Sequence, residues 1–135
     1  MKILVIDGQG GRIGAMLTAE INKILTEKDE LIAIGTNTLA TAAMLKAGAV
    51  NAATGENPIV VNAKSADIIV GTIGITVADA LLGEITPKMA KAIGQSNALK
   101  ILVPMNKCSV YVVGTKEISV TEAVTLAVEK VKEML

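Results

Sequence analysis

Hydrophobic and polar positions along the chain alternate between short apolar runs and segments with helical spacing. The first apolar run, 3–6, leads through a glycine-containing turn into a segment in which Ile13, Leu17 and Ile21 recur. A short continuous apolar run is typical of a strand buried on both faces, and apolar residues three or four apart are typical of a helix packed on a sheet. The chain is therefore predicted to begin with a strand (2–7), a turn and a helix.

The same alternation continues toward the C-terminus. Further strands are predicted at 31–34, 49–53, 68–70, 101–103 and 110–113. Further helices are predicted at 39–46, 59–65, 87–95 and 120–131. Strands separated by helix-length segments predict a three-layer α/β fold with a mainly parallel, Rossmann-like sheet, in a single domain spanning 1–135. Because 104–107 are too few residues for a crossover helix, the last two strands are predicted to form an antiparallel pair at one edge.

Three glycine-containing turns that follow predicted strands form the candidate ligand site. Gly8, Gly11 and Gly14 fit the spacing G-x-x-G-x-x-G between the first strand and the first helix. Glycine lets the backbone approach a ligand closely, and the amides at a helix N-terminus attract an anion. Ligands of parallel α/β sheets bind beyond the carboxyl ends of the strands. The candidate ligand-binding residues are Asp7, Gly8, Gln9, Gly10, Gly11, Arg12, Ile13, Gly14, Thr36, Asn37, Gly71, Thr72 and Gly74.

The turn 8–14 resembles the turns of dihydrodipicolinate-reductase-type and extended short-chain-dehydrogenase Rossmann domains. This resemblance implies NAD or NADP as a cofactor, with its pyrophosphate on the helix N-terminus. Those families carry an acid for the ribose, or a basic residue for the NADP phosphate, at the end of the second strand. This chain has Thr36, Asn37 and Thr38 there, so another nucleotide stays open. A Walker loop is not predicted because no Gly-Lys-Ser/Thr follows the glycines, and a purely structural tight turn is the alternative.

Asp7 and Arg12 each allow two interpretations. Asp7 ends a buried strand, where a carboxylate either contacts a ribose or a metal or takes part in proton transfer, or caps the turn by accepting glycine amides. Arg12 either binds a ligand phosphate or is a solvated surface side chain.

Charged residues after the later strands allow similar alternatives. Asp79, Glu84 and Lys88 either reach the crevice or are solvated charges on an ordinary loop and helix. Lys107 could meet an anion, and Cys108 is either a reactive thiol or a small buried hydrophobe.

Composition excludes several classes of function. The 135 residues are 51% hydrophobic, and 13 basic and 13 acidic side chains cancel. With no charge excess and Tyr111 as the one aromatic residue, nucleic-acid binding is not expected. The chain has no histidine and one cysteine, which excludes an intramolecular disulfide and argues against a metal site. Its apolar runs are interrupted too often to span a membrane, so a cytoplasmic protein is predicted.

Over its whole length the chain also resembles an uncharacterised domain-of-unknown-function family of short bacterial proteins. The matching stretches are 6–14, 35–37, 54–57, 82–87 and 103–108. This resemblance implies one stand-alone cytoplasmic domain and supplies no activity.

Three functions remain as hypotheses. The first is a nucleotide- or dinucleotide-binding module, such as a sensor or regulatory protein, for a small phosphate-containing ligand. The second is a small NAD(P)-dependent oxidoreductase whose substrate site is completed by a second subunit of a homodimer, because 135 residues leave no room for a substrate domain. The third is a structural or interaction protein without a ligand.

Overall fold

The computed structural model describes residues 1–105 and 109–135, and over these it forms an α/β fold with five strands and five α-helices. The strands are β1 (Lys2–Asp7), β2 (Glu30–Gly35), β3 (Asn51–Thr54), β4 (Ile68–Thr72) and β5 (Leu99–Val103). The helices are α1 (Arg12–Asn22), α2 (Thr38–Lys46), α3 (Glu56–Asn62), α4 (Pro87–Gln95) and α5 (Val120–Met134). A short 3₁₀ helix, Ile73–Thr76, follows β4.

The five strands form one parallel sheet in the order β3-β2-β1-β4-β5. In the register, Asp7 at the end of β1 lies beside Gly35 of β2, and Ile6 lies beside Gly71 of β4. The strand order changes direction at β1, because the chain adds β2 and β3 on one side and β4 and β5 on the other. A parallel sheet of this kind binds ligands at the carboxyl ends of the strands where the order reverses.

The central strand β1 supplies both sides of the core. Ile3 and Val5 pack with residues of α1, α2 and α5 on one face of the sheet. Leu4 and Ile6 pack with residues of α3 and α4 on the other face. All four side chains are fully buried, as expected for a continuous apolar run in a parallel strand covered by helices. The predicted three-layer α/β fold with a parallel sheet is therefore confirmed.

The predicted antiparallel edge pair is wrong. β5 runs parallel to β4, with Thr72 opposite Val103, and residues 110–113 form no strand. Strand propensity is realised through pairing and packing with neighbours, yet no strand of the described sheet pairs with this stretch, and Tyr111 and Val113 are 81% and 86% exposed. Helix α5 packs against the β5 side of the sheet instead.

Two predicted elements are displaced by a few residues. The predicted strand 49–53 is β3, 51–54, and the predicted helix 59–65 is α3, 56–62. Helix α3 begins early because Gly55, with φ of 104°, makes the turn out of β3, and Pro58 then stands in the first turn of the helix. Within the ranges that the structure describes, no helix is both long enough and apolar enough to cross a membrane.

Candidate functional site

The candidate site begins where β1, the central strand, turns into α1. The turn is tight: the Gly11 amide donates to the Gly8 carbonyl at 3.0 Å, and Gly11 adopts a left-handed φ of 73°. Within residues 1–105 and 109–135, the backbone amides of Gly10, Arg12 and Ile13 have no hydrogen-bond acceptor. The Arg12 and Ile13 amides lie in the first turn of an 11-residue helix, whose N-terminal end carries a partial positive charge, and the Gly10 amide lies in the turn just before it.

Asp7 is part of the internal scaffold of the turn. Its side chain is buried, with Oδ1 accepting the Gly8 amide at 2.8 Å and Oδ2 accepting the Gly14 amide at 2.6 Å. Burial raises the pKa of the Asp7 carboxyl above its ordinary value, although the two amide hydrogen bonds oppose that shift. The geometry therefore shows Asp7 in the capping arrangement, joining the end of β1 to the first turn of α1.

The glycines of the turn fall into two groups. A methyl group on Gly8, Gly11 or Gly14 would lie within 2.6 Å of a neighbouring atom, which for Gly11 is the backbone Cα of Ala40 in α2. Close packing of the fold therefore accounts for these three glycines. Around the corresponding position of Gly10, no atom of the described residues lies within 4 Å. Gly10 is exposed and faces open space where a ligand could approach the backbone.

Glu84 joins the turn to the end of β2. It comes from the loop 77–85 between the 3₁₀ helix and α4, and its Oε1 accepts three hydrogen bonds. The donors are the Gln9 amide at 3.0 Å, the Thr36 hydroxyl at 2.7 Å and the Asn37 side-chain amide at 2.6 Å. Partial burial raises the pKa of Glu84, but the three hydrogen bonds outweigh it and leave the pKa below its ordinary value. Glu84 is thus a carboxylate at neutral pH.

Asn37 connects the same group of residues to α2. Its Oδ1 accepts the Ala40 amide at 2.8 Å and thereby caps the N-terminus of α2. Its Nδ2 donates to the Gln9 carbonyl at 2.9 Å as well as to Glu84. Gln9 of the first turn and Thr36 and Asn37 of the second therefore share one hydrogen-bonded network with Glu84.

The loop that carries Glu84 has an unusual backbone. Asp79, Leu81 and Leu82 adopt left-handed φ values of 65°, 56° and 58°. Each such residue costs about 1–2 kcal/mol relative to a right-handed conformation. Burial of Leu81, which is 3% exposed, and a hydrogen bond of 2.7 Å from the Asp79 amide to the Ile85 carbonyl hold the loop in place. The fold thus maintains a strained segment that delivers Glu84 to the turn.

The third predicted turn lies on the neighbouring strand. Gly71 pairs with Ile6 in the sheet, and a methyl group on it would lie 2.6 Å from the Ile6 carbonyl oxygen. Thr72 is fully buried, and its hydroxyl has no hydrogen-bond partner in the described part of the chain. Gly74 is buried in the 3₁₀ helix. These residues share the carboxyl edge of the sheet with the glycine turn.

The remaining charged candidates lie in different places in the structure. Arg12 is exposed at the first residue of α1, as both interpretations of it require. Asp79 is exposed on the loop, and Lys88 lines a groove between α3 and α4 outside the glycine turn. The stretch 106–108, with Lys107 and Cys108, lies outside the described residues, so the hypotheses for those two side chains stay predictions.

Sequence reasoning included Glu84 among three charged residues near the crevice but did not select it. Its role depends on hydrogen bonds to Asn37 and Gln9, which are 47 and 75 residues away in the chain. The signal that could have selected it is the missing acid at the end of β2, which leaves the Thr36 and Asn37 donors in need of an acceptor.

Comparisons with known proteins supply a family but no activity. A search of curated proteins found no match. Among solved structures, the chain is similar to the dodecameric FMN-dependent UbiX-like decarboxylase from Escherichia coli O157:H7, with 11% sequence identity and a TM-score of 0.47. That similarity covers 99% of this chain and 94% of the other, and at this score it carries no argument about function. Residues 2–135 match the profile of one sequence family, and the chain therefore belongs to the family described as Domain of unknown function (DUF3842).

Proposed function

We propose that this protein binds a small phosphate-bearing ligand of the nucleotide class at the glycine turn between β1 and α1. The observation that carries the proposal is the set of amides of Gly10, Arg12 and Ile13, which have no acceptor in the described residues, next to the open space at Gly10. Amides at a helix N-terminus, together with the helix dipole, favour a phosphate oxygen at this position.

One cationic side chain and two carboxylates, Arg12, Asp7 and Glu84, lie at or beside the turn. Both oxygens of Asp7 accept amides inside the turn, so that the carboxylate is turned toward the scaffold. Arg12 is exposed at the start of α1 and offers a guanidinium for a charge-assisted hydrogen bond to phosphate. Because Glu84 already accepts the Gln9 amide, we place the phosphate over the stretch from Gly10 to Ile13.

A purely structural turn explains part of this geometry. Tight packing accounts for Gly8, Gly11 and Gly14, and it requires no ligand. It gives no reason for glycine at position 10, where an alanine methyl group would meet no atom of the described residues. The proposal therefore rests on Gly10 and the neighbouring amides rather than on the glycine spacing. NAD and NADP are the nucleotides that the resemblance of the turn suggests, and a sensor or regulatory role would follow from binding without chemistry.

Isothermal titration calorimetry with inorganic pyrophosphate, ADP and NAD tests the proposal. The wild type is compared with Gly10→Ala, which places a methyl group where the ligand would lie. Gly94→Ala is the matched control, because Gly94 is also exposed with no described atom within 4 Å but lies on α4. Loss of one charge-assisted hydrogen bond costs about 1.5–3 kcal/mol, so Gly10→Ala should weaken binding roughly tenfold or more.

The control variant should bind like the wild type, and both variants should retain native circular dichroism. Absence of binding by the wild type to all three probes would contradict the proposal. Equal affinity in the wild type and Gly10→Ala would also contradict it, because the ligand would then lie elsewhere.

A further inference from the structure

The two oxygens of the Glu84 carboxylate have different surroundings. Oε1 accepts all three hydrogen bonds, from Gln9, Thr36 and Asn37. No donor to Oε2 is found among residues 1–105 and 109–135. Because the bonds to Oε1 fix the carboxylate in position, Oε2 is a pre-positioned, negatively charged acceptor. It would repel a phosphate, but it suits the hydroxyl group of a ligand that carries a phosphate elsewhere.

The position of Glu84 relative to the sheet indicates which hydroxyl group of a ligand would reach Oε2. Its Oε1 lies 2.7 Å from the Thr36 hydroxyl, directly after β2, and 3.2 Å from the Cβ position of Gly8 at the end of β1. In dinucleotide-binding sheets, an acid at the end of the second strand accepts a ribose hydroxyl. The sequence of β2 ends here without an acid, and the loop after β4 supplies one at the same place.

Two exposed leucines stand two positions in the chain from the hydrogen-bonded pair Glu84 and Asn37. Leu82, 98% exposed, precedes Glu84 by two residues, and Leu39, 66% exposed, follows Asn37 by two residues. Glu84 and Asn37 are hydrogen-bonded at 2.6 Å, so the two leucines come from the two chain segments that meet at this contact. Leu82 is held in a left-handed conformation with its side chain in solvent, so packing of that side chain against the described residues does not offset the strain.

We propose that the ligand is a ribonucleotide, with its ribose hydroxyls donating to Glu84 Oε2 and its base lying between Leu39 and Leu82. This inference rests on the proposed function, since the phosphate of the same molecule occupies the amides of Gly10 to Ile13. Leucine side chains provide apolar faces for a planar base in a chain whose one aromatic residue, Tyr111, lies on a different segment.

A different role for Glu84 predicts that ligand binding changes in the opposite direction when its charge is removed. If the carboxylate were an internal substitute for the ligand phosphate, it would have to leave the Gln9 amide before a phosphate could bind. Removal of its charge would then strengthen the binding of every phosphate compound. If Glu84 binds ribose, removal of its charge weakens the binding of ribonucleotides alone.

The test first measures the affinity of the wild type for ADP, GDP, CDP and UDP by calorimetry. It then measures the affinity for pyrophosphate and for the 2′,3′-dideoxy analogue of the nucleotide that binds most tightly. We expect the dideoxy analogue to bind roughly tenfold more weakly or worse, since it lacks hydrogen bonds to a charged acceptor. This comparison uses the wild type and is independent of how any variant folds.

Glu84→Gln then assigns the effect to one oxygen. The glutamine carbonyl oxygen can still accept from Gln9, Thr36 and Asn37, while its NH₂ group replaces the acceptor Oε2 with a donor. The variant should lose most of the preference for the ribonucleotide over the dideoxy analogue and should bind pyrophosphate at least as well as the wild type. Glu129→Gln, an exposed change on α5, is the charge-matched control and should retain the preference.

The variant Leu82→Ala tests the proposed contact between Leu82 and the base of the ligand. It should weaken the ribonucleotide and the dideoxy analogue alike and leave pyrophosphate binding unchanged.

Each contrary result has a distinct meaning. Equal binding of the ribonucleotide and its dideoxy analogue, together with clear pyrophosphate binding, would overturn the ribose inference and leave the proposed function standing. Stronger ribonucleotide binding by Glu84→Gln would overturn it in favour of an internal anion. Absence of binding by all probes would overturn both proposals.

Discussion

Replacement of Gly11 by alanine should destabilise the protein far more than the same replacement at Gly10, its neighbour in the chain. Gly11 has a left-handed φ of 73°, and a Cβ on it would lie 2.6 Å from the Ala40 Cα and 2.9 Å from the Ala40 carbonyl oxygen. These are backbone atoms of α2, which can move only together with the helix. Gly10 has no left-handed φ, and its Cβ position is open among the described residues.

The magnitude follows from two contributions. A left-handed conformation costs a non-glycine residue about 1–2 kcal/mol, and forcing a methyl group into a packed contact costs about 1–3 kcal/mol. We therefore expect Gly11→Ala to lower the free energy of unfolding by about 2–5 kcal/mol. At Gly10 neither contribution applies, and the reduced entropy of the unfolded chain should change the free energy by less than about 1 kcal/mol.

Equilibrium urea unfolding of the two variants and the wild type, followed by circular dichroism, measures this difference. Both variants should give the same dependence on urea concentration as the wild type, so that the change lies in the midpoint. If Gly11→Ala were as stable as Gly10→Ala, α1 and α2 would not be packed together as described. Strong destabilisation by Gly10→Ala would show that position 10 is also structural, and would remove the basis for a ligand there.

Three further changes test other parts of the structure by the same urea assay. Asn37→Asp should place a second carboxylate beside Glu84 and lower the free energy of unfolding by about 2 kcal/mol at neutral pH. This loss of stability should become smaller as the pH falls and one of the carboxylates is protonated. A loss that does not depend on pH would refute the prediction. Thr86→Ala should lower the free energy of unfolding by about 1–2 kcal/mol, because the Thr86 hydroxyl caps α4 and donates to Glu56 at 2.6 Å. Thr86→Ser keeps the hydroxyl and should lower it far less. Equal losses of stability in the two variants would contradict the capping role. A hydrogen bond from the N-terminal ammonium group lowers the pKa of Asp29 to about 2, below its ordinary value, so its stabilising effect should be present above about pH 4 and be lost as the pH falls through about 2. Asp29→Asn should accordingly be less stable than the wild type at pH 7, and the gap should narrow as the pH falls from 4 to 2; a gap of unchanged size at pH 2 would contradict this.

Much of the fold could be predicted from local patterns. The continuous apolar run of β1 and the helical spacing of α1 required no knowledge of distant residues, since the same hydrophobic side chains that define the patterns also form the core. The stretch 110–113 also has a β pattern, but no strand of the described sheet pairs with it, two of its four side chains are exposed, and no strand forms. Strand propensity is realised only through tertiary contacts, which the local sequence does not contain.

The candidate site likewise has a part that local sequence predicts and a part that depends on distant contacts. The glycine turn was visible because its spacing is local, but the spacing did not distinguish Gly10 from the glycines that pack against α2 and β1. Glu84 could not be selected from Asp79 and Lys88 by residue type, because all three are charged and follow the same strand. The left-handed backbone at Leu81 and the hydrogen bonds of Glu84 across 47 and more residues decide which of them reaches the turn.

A ¹H–¹⁵N nuclear magnetic resonance titration of the wild type with inorganic pyrophosphate tests the claim that the amides at the start of α1 bind phosphate. We expect the amide signals of Gly10, Arg12 and Ile13 to shift together, with one dissociation constant. If these three signals stay fixed while those around the lysine-lined groove between α3 and α4 shift, or if no signal moves, the claim is contradicted.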